Sequence, residues 1–285
     1  FLNINDTGSS IPRNATIDQG ASNFGFIAGI CPGTIAWDNA DIQQITVTTG
    51  HQTDGLTVLR CSERLFIKSA GGFDNYTVGN NVAGLSQITA AVDIGPSVNI
   101  GVVPDSITID DRGSAIGRSY GITSLGSGEF NFTRTPFALR VTDPLFLFFK
   151  GGNGDDTLTL NGFARYVDFD GGNGSDTLFV DDRTSTLALE TATISIDRFQ
   201  RITGGVIPQS VTTKYANVEL PGFFLRDSCT SVGITGTPAS IGAGQLSVFT
   251  GSNSDGITIH PVDAGGYLSI NGSLFINSDG GSVTL

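Results

Sequence analysis

The chain has 285 residues, of which 39% are hydrophobic and only 15% are charged, and its formal net charge is -12. This length allows one large domain or two ordinary ones with a buried core. The acidic balance argues against nucleic acid as a partner, because no basic surface is available to neutralise phosphates. The sequence also lacks an apolar run of the ~18 residues that a membrane helix needs, so we expect no membrane span.

The first 35 residues predict an N-terminal arm. The stretch FLNINDTGSSIPRNATIDQGASN is polar, contains Pro12 and shows little alternation between apolar and polar residues. Such a segment is typical of an extended arm that packs on a neighbour, or of a disordered end. We therefore divide the chain into an arm over residues 1–35 and a repeat domain over residues 36–285.

Several features favour a secreted or cell-surface protein. The chain begins with Phe1 and contains no Met, so we expect either that a signal peptide or pro-segment has been removed or that the sequence is a piece of a larger protein. In an oxidising compartment Cys31 and Cys61 would form a disulfide, with Cys229 free or intermolecular; the alternative is three buried thiols. Sequons for N-glycosylation occur at Asn5, Asn14, Asn75, Asn131, Asn173 and Asn271.

Short apolar runs predict an all-β protein. No sustained helical periodicity is present, whereas runs rich in Val, Ile, Leu, Phe and Thr alternate with Gly/Asn/Asp/Ser turns, often about ten residues apart. The predicted strands begin at Leu56, Leu65, Tyr76, Ser106, Leu145, Thr157, Thr177, Ser247, Ile257 and Tyr267. Such spacing is typical of a sandwich, a barrel or a solenoid.

An internal repeat distinguishes these architectures. The pattern Asp, any residue, apolar, usually Thr, apolar begins at Asp54, Asp74, Asp105, Asp156, Asp176 and Asp255. Twenty residues separate the first two copies, and twenty separate the fourth and fifth. Self-similarity of this kind favours an elongated β-solenoid, similar to a β-helix or β-roll, because a solenoid stacks like rungs.

Strand geometry assigns the two faces of each repeat, because successive side chains point to opposite sides. The apolar pairs predicted to line the interior are Leu56 and Val58, Tyr76 and Val78, Ile107 and Ile109, Leu158 and Leu160, Leu178 and Val180, and Ile257 and Ile259. The residues predicted to form outward columns are Thr57, Thr77, Thr108, Thr159 and Thr258, with Phe179 as the exception. The segment from Thr184 to Pro221 lacks the repeat and predicts a longer rung or an inserted strand pair.

Two copies of the repeat follow a Gly-Gly-Asn-Gly turn, in GGNGDDTLT from Gly151 and GGNGSDTLF from Gly171. These segments resemble the glycine-rich nonapeptide repeat of RTX, or haemolysin-type, proteins. The resemblance implies a β-roll with Ca²⁺ held between successive turns by hard oxygen ligands. The implied ligands are the carboxylates of Asp156 and Asp176 and the carbonyls of Gly152, Gly154, Gly172 and Gly174. The alternative is a structural corner without an ion.

Paired carboxylates are the main argument for an enzyme. Polysaccharide hydrolases and lyases occur on β-helices and use Asp and Glu pairs. The candidate pairs are Asp110 with Asp111, Asp168 with Asp170, and Asp181 with Asp182. Turn aspartates are also common in glycine-rich solenoids, so we expect no enzyme.

We therefore expect an extracellular structural protein. It would be a building block of a filament, surface appendage or adhesive stalk, joined to copies of itself or to related surface proteins through solenoid ends and the N-terminal arm. One alternative is a carbohydrate-binding or carbohydrate-active β-helix domain, for which glycans are the partners. Another is a calcium-dependent RTX-type adhesin module.

Overall fold

The computed structural model shows an all-β chain and describes residues 1–20, 23–96, 105–126, 129–134, 137–142, 144–162, 165–184, 189–203, 209–238, 244–252, 256–260, 270–278 and 282–284. The first half contains β1 (Leu2–Asn5), β2 (Asn14–Asp18), β3 (Phe24–Ala28), β4 (Ile35–Asp38), β5 (Gln44–Thr48), β6 (Gly55–Arg60), β7 (Arg64–Ser69), β8 (Asn75–Gly79), β9 (Val92–Pro96), β10 (Asp105–Asp110), β11 (Ser119–Gly126), β12 (Glu129–Arg134) and β13 (Phe137–Thr142). The second half contains β14 (Pro144–Lys150), β15 (Thr157–Asn161), β16 (Tyr166–Asp170), β17 (Thr177–Asp181), β18 (Leu189–Ile194), β19 (Arg198–Thr203), β20 (Gln209–Ala216), β21 (Leu220–Phe224), β22 (Ser231–Ile234), β23 (Gln245–Thr250), β24 (Gly256–Ile259), β25 (Ser273–Ser278) and β26 (Ser282–Thr284). Within these ranges there is no helix that is long and apolar enough to cross a membrane.

The strands divide between two large, mostly parallel sheets and between two compact units. Unit 1 comprises residues 1–115 and 125–150, and unit 2 comprises residues 116–124 and 151–285. In unit 1, sheet A has the order β1-β5-β7-β9-β13-β12 and sheet B the order β14-β10-β8-β6-β2-β3-β4. In unit 2, sheet A has the order β11-β15-β17-β21-β23-β25 and sheet B the order β26-β24-β22-β18-β19-β20-β16.

Consecutive strands alternate between the two sheets, and each strand pairs in parallel with the one two places earlier. In unit 1 this holds from β5 to β10, and in unit 2 from β15 to β17. The register of these pairings follows the twenty-residue repeat, because Leu56 lies beside Tyr76 and Leu158 lies beside Leu178. The chain therefore returns to the same position after each pair of strands.

Alternation within the strands puts the predicted apolar pairs into the core of each unit. All of them are buried except Ile259, which is half-buried. The threonines predicted to face outward lie on the other face and are half-buried, and Thr57, Thr77 and Thr108 form one column of sheet B in unit 1. Every strand predicted from the sequence is present except the one at Tyr267, which begins outside the described residues. Close-packed β-branched and aliphatic side chains explain why this pattern specifies strands.

Three antiparallel elements interrupt the parallel order: β2-β3-β4, β12-β13 and β18-β19-β20. The last of these confirms the inserted strands predicted between Thr184 and Pro221. Residues 1–35 differ from the predicted arm, because β1 pairs with β5 and β2 pairs with β6 inside unit 1. Ile4 and Ile17 are buried there, so these short strands are fixed by tertiary packing that their polar sequence does not indicate.

Candidate functional site

The two Gly-Gly-Asn-Gly turns lie one on the other in unit 2, directly before β15 and β17. The Asn173 amide N–H donates to the Gly152 carbonyl at 3.0 Å, and Asn173 Nδ2 donates to Asn153 Oδ1 at 2.7 Å. The Ser175 N–H donates to Asp155 Oδ1 at 2.8 Å. The turns thus stack through their own donors and acceptors, in the register that the two strands share.

Glycine is required where the stacked turns approach each other. A Cβ atom at Gly172 would overlap the Gly152 carbonyl oxygen, and one at Gly174 would lie 2.5 Å from the Gly154 oxygen. The φ angles of Gly172 and Gly174 are 94° and 141°, in the region that side chains disfavour. The motif glycines therefore allow close stacking of backbone on backbone.

The carboxylate of Asp156 joins its own turn to the preceding rung. Its Oδ1 accepts the Arg118 N–H at 2.8 Å, and its Oδ2 accepts the Gly152 N–H at 2.8 Å. The N–H of Asp156 in turn donates to Asp176 Oδ1 at 2.7 Å, and the N–H of Asp176 donates to Glu219 Oε2 at 2.6 Å. We call Asp156, Asp176 and Glu219 the acidic ladder of unit 2.

Unit 1 contains the same arrangement, formed by Asp54, Asp74 and Asp105. The Arg13 N–H donates to Asp54 Oδ1 at 2.7 Å, the Asp54 N–H to Asp74 Oδ1 at 2.8 Å, and the Asp74 N–H to Asp105 Oδ1 at 3.0 Å. Asp54 Oδ2 accepts the Gly50 N–H at 2.8 Å. The repeated aspartate therefore has one role in both units, which is to accept hydrogen bonds from buried backbone donors beside the strand that it precedes. Asp255, the remaining motif aspartate, lies outside the described residues.

Burial opposes ionisation of two of these carboxylates, Asp74 and Asp176. Loss of hydration raises the pKa of Asp74, whose Oδ2 also accepts the Tyr76 hydroxyl at 3.0 Å. Loss of hydration likewise raises the pKa of Asp176 to about 6, and the nearby carboxylates of Asp156 and Glu219 add to this rise. These carboxylates therefore gain hydrogen bonds, but the loss of hydration and the nearby negative charges make their ionised form less favourable.

Asp176 differs from Asp156 at its second oxygen. Asp176 Oδ2 is buried and has no hydrogen-bond partner among the described residues. The reason is local: Gly172, the counterpart of Gly152, donates its N–H to Asp170 Oδ1 at 3.2 Å instead.

The residues predicted to bind calcium are brought together, and several of their oxygens accept hydrogen bonds from N–H groups. Both oxygens of Asp156 and one of Asp176 accept N–H groups, and the Gly152 carbonyl accepts the Asn173 N–H. The described ranges hold no group of three or more His, Cys, Asp or Glu side chains placed to bind a metal. These contacts fit a structural corner, and calcium binding stays a prediction.

The carboxylate pairs considered for catalysis have structural partners. The Arg112 guanidinium donates two hydrogen bonds to Asp110, at 2.9 and 2.7 Å, and the Arg183 guanidinium donates two to Asp181, at 2.9 and 2.6 Å. Their neighbours point inward. Asp111 Oδ1 accepts the Leu85 N–H at 2.5 Å, and Asp182 forms a buried ion pair with Arg201. Asp168 and Asp170 share the outward face of β16, where Asp170 accepts the Asn217 amide at 2.7 Å.

The predicted disulfide between Cys31 and Cys61 is not formed in the structure, where Cys31, Cys61 and Cys229 are all free thiols. Cys31 donates to the Gly33 carbonyl and Cys61 to the Glu63 carbonyl, each at 3.0 Å. Burial raises the pKa of the Cys61 thiol to about 12, which makes it unreactive. The alternative of three buried thiols holds for Cys61 and Cys229, whereas Cys31 is half-buried.

The sequon asparagines lie mainly at the surface: Asn5, Asn14, Asn75, Asn173 and Asn271 are exposed, and Asn131 is half-buried. Glycosylation at any of them stays a prediction. At Asn173 the amide nitrogen that would carry a glycan donates to Asn153, so a glycan there would lie beside the contact between the stacked turns.

Sequence reasoning missed Glu219 as a ladder member. It directly precedes β21, and the register of Thr177 beside Leu220 aligns it with Asp176. A search for any acidic residue before an apolar strand would have found it, whereas the pattern required Asp.

No protein-family model, curated protein sequence or solved structure matches this chain. Its function must therefore be inferred from its own residues.

Proposed function

We propose that the protein is an extracellular structural protein, a β-solenoid building block of a filament, surface appendage or adhesive stalk. The observation that carries this proposal is the acidic ladder. Buried carboxylates are the groups with which an enzyme or metal protein would act, and here they bind the backbone of the adjacent rung. A motif that is repeated to join rungs serves the extension of a scaffold.

The strand order supports a solenoid. The chain alternates between two sheets and adds each strand in parallel to an earlier one, so that each rung covers the apolar pair of its neighbour. A rung cannot bury this pair alone, and stability therefore depends on stacking.

The last described strand of sheet A supports assembly with further like rungs. β25 pairs with β23 among the described strands, and its Leu274 and Ile276 are half-buried, whereas Leu246 and Val248 beside them are fully buried. A like rung placed on this side would cover both side chains. Exposed sequons and the acidic surface are compatible with secretion.

Electron microscopy of the secreted protein at rising concentration tests the proposal. We expect elongated particles or fibres with an axial repeat that is a multiple of the ~4.8 Å strand spacing, unchanged by a chelator. Ile276→Lys should shorten the assemblies, with Ile196→Lys, which alters an exposed residue, as the matched control. Compact, dispersed monomers at all concentrations would exclude the proposed function. Assemblies that dissociate in chelator would favour the calcium-dependent alternative.

A further inference from the structure

Asparagine is followed directly by glycine at four places in the chain, which are Asn153, Asn161, Asn173 and Asn271. In such a pair the glycine nitrogen can attack the asparagine side-chain carbon Cγ, because glycine has no Cβ atom to obstruct the approach. The attack closes a five-membered succinimide ring and releases ammonia. Because the dipeptide is the same at all four places, the surrounding structure decides which of them reacts.

The availability of the glycine nitrogen differs among the four pairs. Gly162 is buried, and its N–H donates to the Asp181 carbonyl at 2.8 Å. Attack by this nitrogen would break a buried hydrogen bond between neighbouring strands, which protects the pair. Within the described ranges, the N–H groups of Gly154, Gly174 and Gly272 have no hydrogen-bond partner. These three nitrogens can therefore attack without the loss of a hydrogen bond.

The side-chain carbonyl of Asn153 has a hydrogen-bond donor directed at it. Asn173 Nδ2 donates to Asn153 Oδ1 at 2.7 Å, from one stacked turn to the other. When a nitrogen adds to Cγ, negative charge develops on Oδ1, and a donor already held at this oxygen stabilises the charge. The side-chain oxygens of Asn173 and Asn271 accept no such bond from the described residues. Asn153 is also exposed, so water reaches its side chain.

We propose that Asn153 is a site of spontaneous deamidation and that the Asn173 amide assists the reaction. A bond forms between the Gly154 nitrogen and Asn153 Cγ, and the bond from Cγ to Nδ2 breaks. The proton lost by the Gly154 nitrogen leaves with Nδ2 as ammonia. Water then opens the ring at one of its two carbonyl carbons and leaves aspartate or isoaspartate at position 153. This inference goes beyond the proposed structural role, since it assigns a modification site to the turn.

Both products change the stacked turns. Aspartate at position 153 still accepts the Asn173 amide, but it adds a negative charge next to Asp155 and Asp156 in the sequence. Isoaspartate lengthens the backbone by one carbon atom directly before Gly154. The turns stack closely there, since a Cβ at Gly174 would lie 2.5 Å from the Gly154 oxygen. We therefore expect the deamidated protein to unfold at a lower temperature than the fresh protein.

Mass spectrometry of tryptic peptides, after incubation of the full chain at neutral pH, tests the proposal. Cleavage after Lys150 and Arg165 leaves Asn153 and Asn161 in one peptide, so fragment ions report both extents of deamidation from the same molecules. We expect Asn153 to react at least about tenfold faster than Asn161 in the folded protein. The matched control is the same incubation in concentrated urea, where the hydrogen bonds are lost and the two rates should become similar.

The variant Asn173→Ala tests the assistance. Loss of the donor should slow deamidation of Asn153 at least about threefold. Asn271→Ala is the matched control, because it alters another exposed asparagine of an Asn-Gly pair that forms no hydrogen bond with Asn153. This control should deamidate at Asn153 like the unaltered protein, and circular dichroism should show both variants folded.

The proposal is overturned if Asn153 reacts no faster than Asn161 in the folded protein, or if the ratio of the two rates is the same in urea. It is also overturned if Asn173→Ala leaves the rate at Asn153 unchanged or raises it, since the Asn173 donor would then give no assistance. None of these measurements depends on assembly, so microscopy tests the proposed structural function separately.

Discussion

Removal of the Asp156 carboxylate should destabilise unit 2 more than the loss of any exposed turn residue. In Asp156→Ala the N–H groups of Arg118 and Gly152 lose the acceptors that now lie 2.8 Å away. Each buried donor left without a partner costs about 1–3 kcal/mol, which gives about 2–6 kcal/mol for the two. Because the substitution also removes the cost of burying a carboxylate, we expect a loss of about 2–4 kcal/mol.

Urea unfolding followed by circular dichroism measures this loss, and hydrogen exchange at the Arg118 and Gly152 amides localises it. Both amides should exchange much faster in Asp156→Ala. The matched control is Asp155→Ala on the same turn, where an exposed carboxylate accepts the Ser175 N–H. Since water can replace this exposed acceptor, the control should lose less than about 1 kcal/mol.

Equal losses in the two variants would refute the reasoning, because the buried and exposed acceptors would then be equivalent. Unchanged hydrogen exchange at the Arg118 and Gly152 amides would also refute the reasoning, even if the whole protein were less stable.

Three further measurements test the stacked corners. Gly172→Ala, with its positive φ and the Gly152 carbonyl beneath it, should lower the free energy of unfolding by more than about 2 kcal/mol in urea titrations. Gly8→Ala is the control: an added Cβ there meets nothing within 4 Å, so the free energy of unfolding should change little. The pKa of Asp176 is raised to about 6, so the stability that Asp176 contributes should be complete below pH ~4 and lost as the pH rises through 6. In Asp176→Asn the free energy of unfolding should depend less on pH in this range. An unaltered pH dependence would argue against the raised pKa. A chelator should leave the melting temperature unchanged, whereas a fall of more than ~4 °C, restored by Ca²⁺, would establish calcium as part of the fold.

Local pattern was sufficient to predict the strands of the repeat. Leu158 and Leu160 alternate with threonines, and strand geometry then fixes which side chains enter the core. The twenty-residue spacing of the motif predicted the register, because a chain that repeats its corner must return to the same position. Gly172 and Gly174 were predicted as carbonyl ligands of calcium, and their role in the close stacking of backbone on backbone is visible only in the structure.

Contacts between segments distant in sequence were not predictable in this way. The strand formed by Asn14–Asp18 has a weak pattern, and its place in sheet B is fixed by pairing with Gly55–Arg60. The contacts among Phe179, Phe224, Phe249 and Phe275 join four strands, and each strand contributes one ring.

The sequence by itself determined the all-β class, the alternation of core and surface residues, and the recurrence of one acidic corner, because these depend on neighbours along the chain. The role of that corner was decided by the tertiary structure. The pattern does not show which backbone groups such an aspartate binds, because these groups belong to segments distant in sequence. In this fold the adjacent rung presents N–H groups to Asp54, Asp156 and Asp176, and the carboxylates bind them.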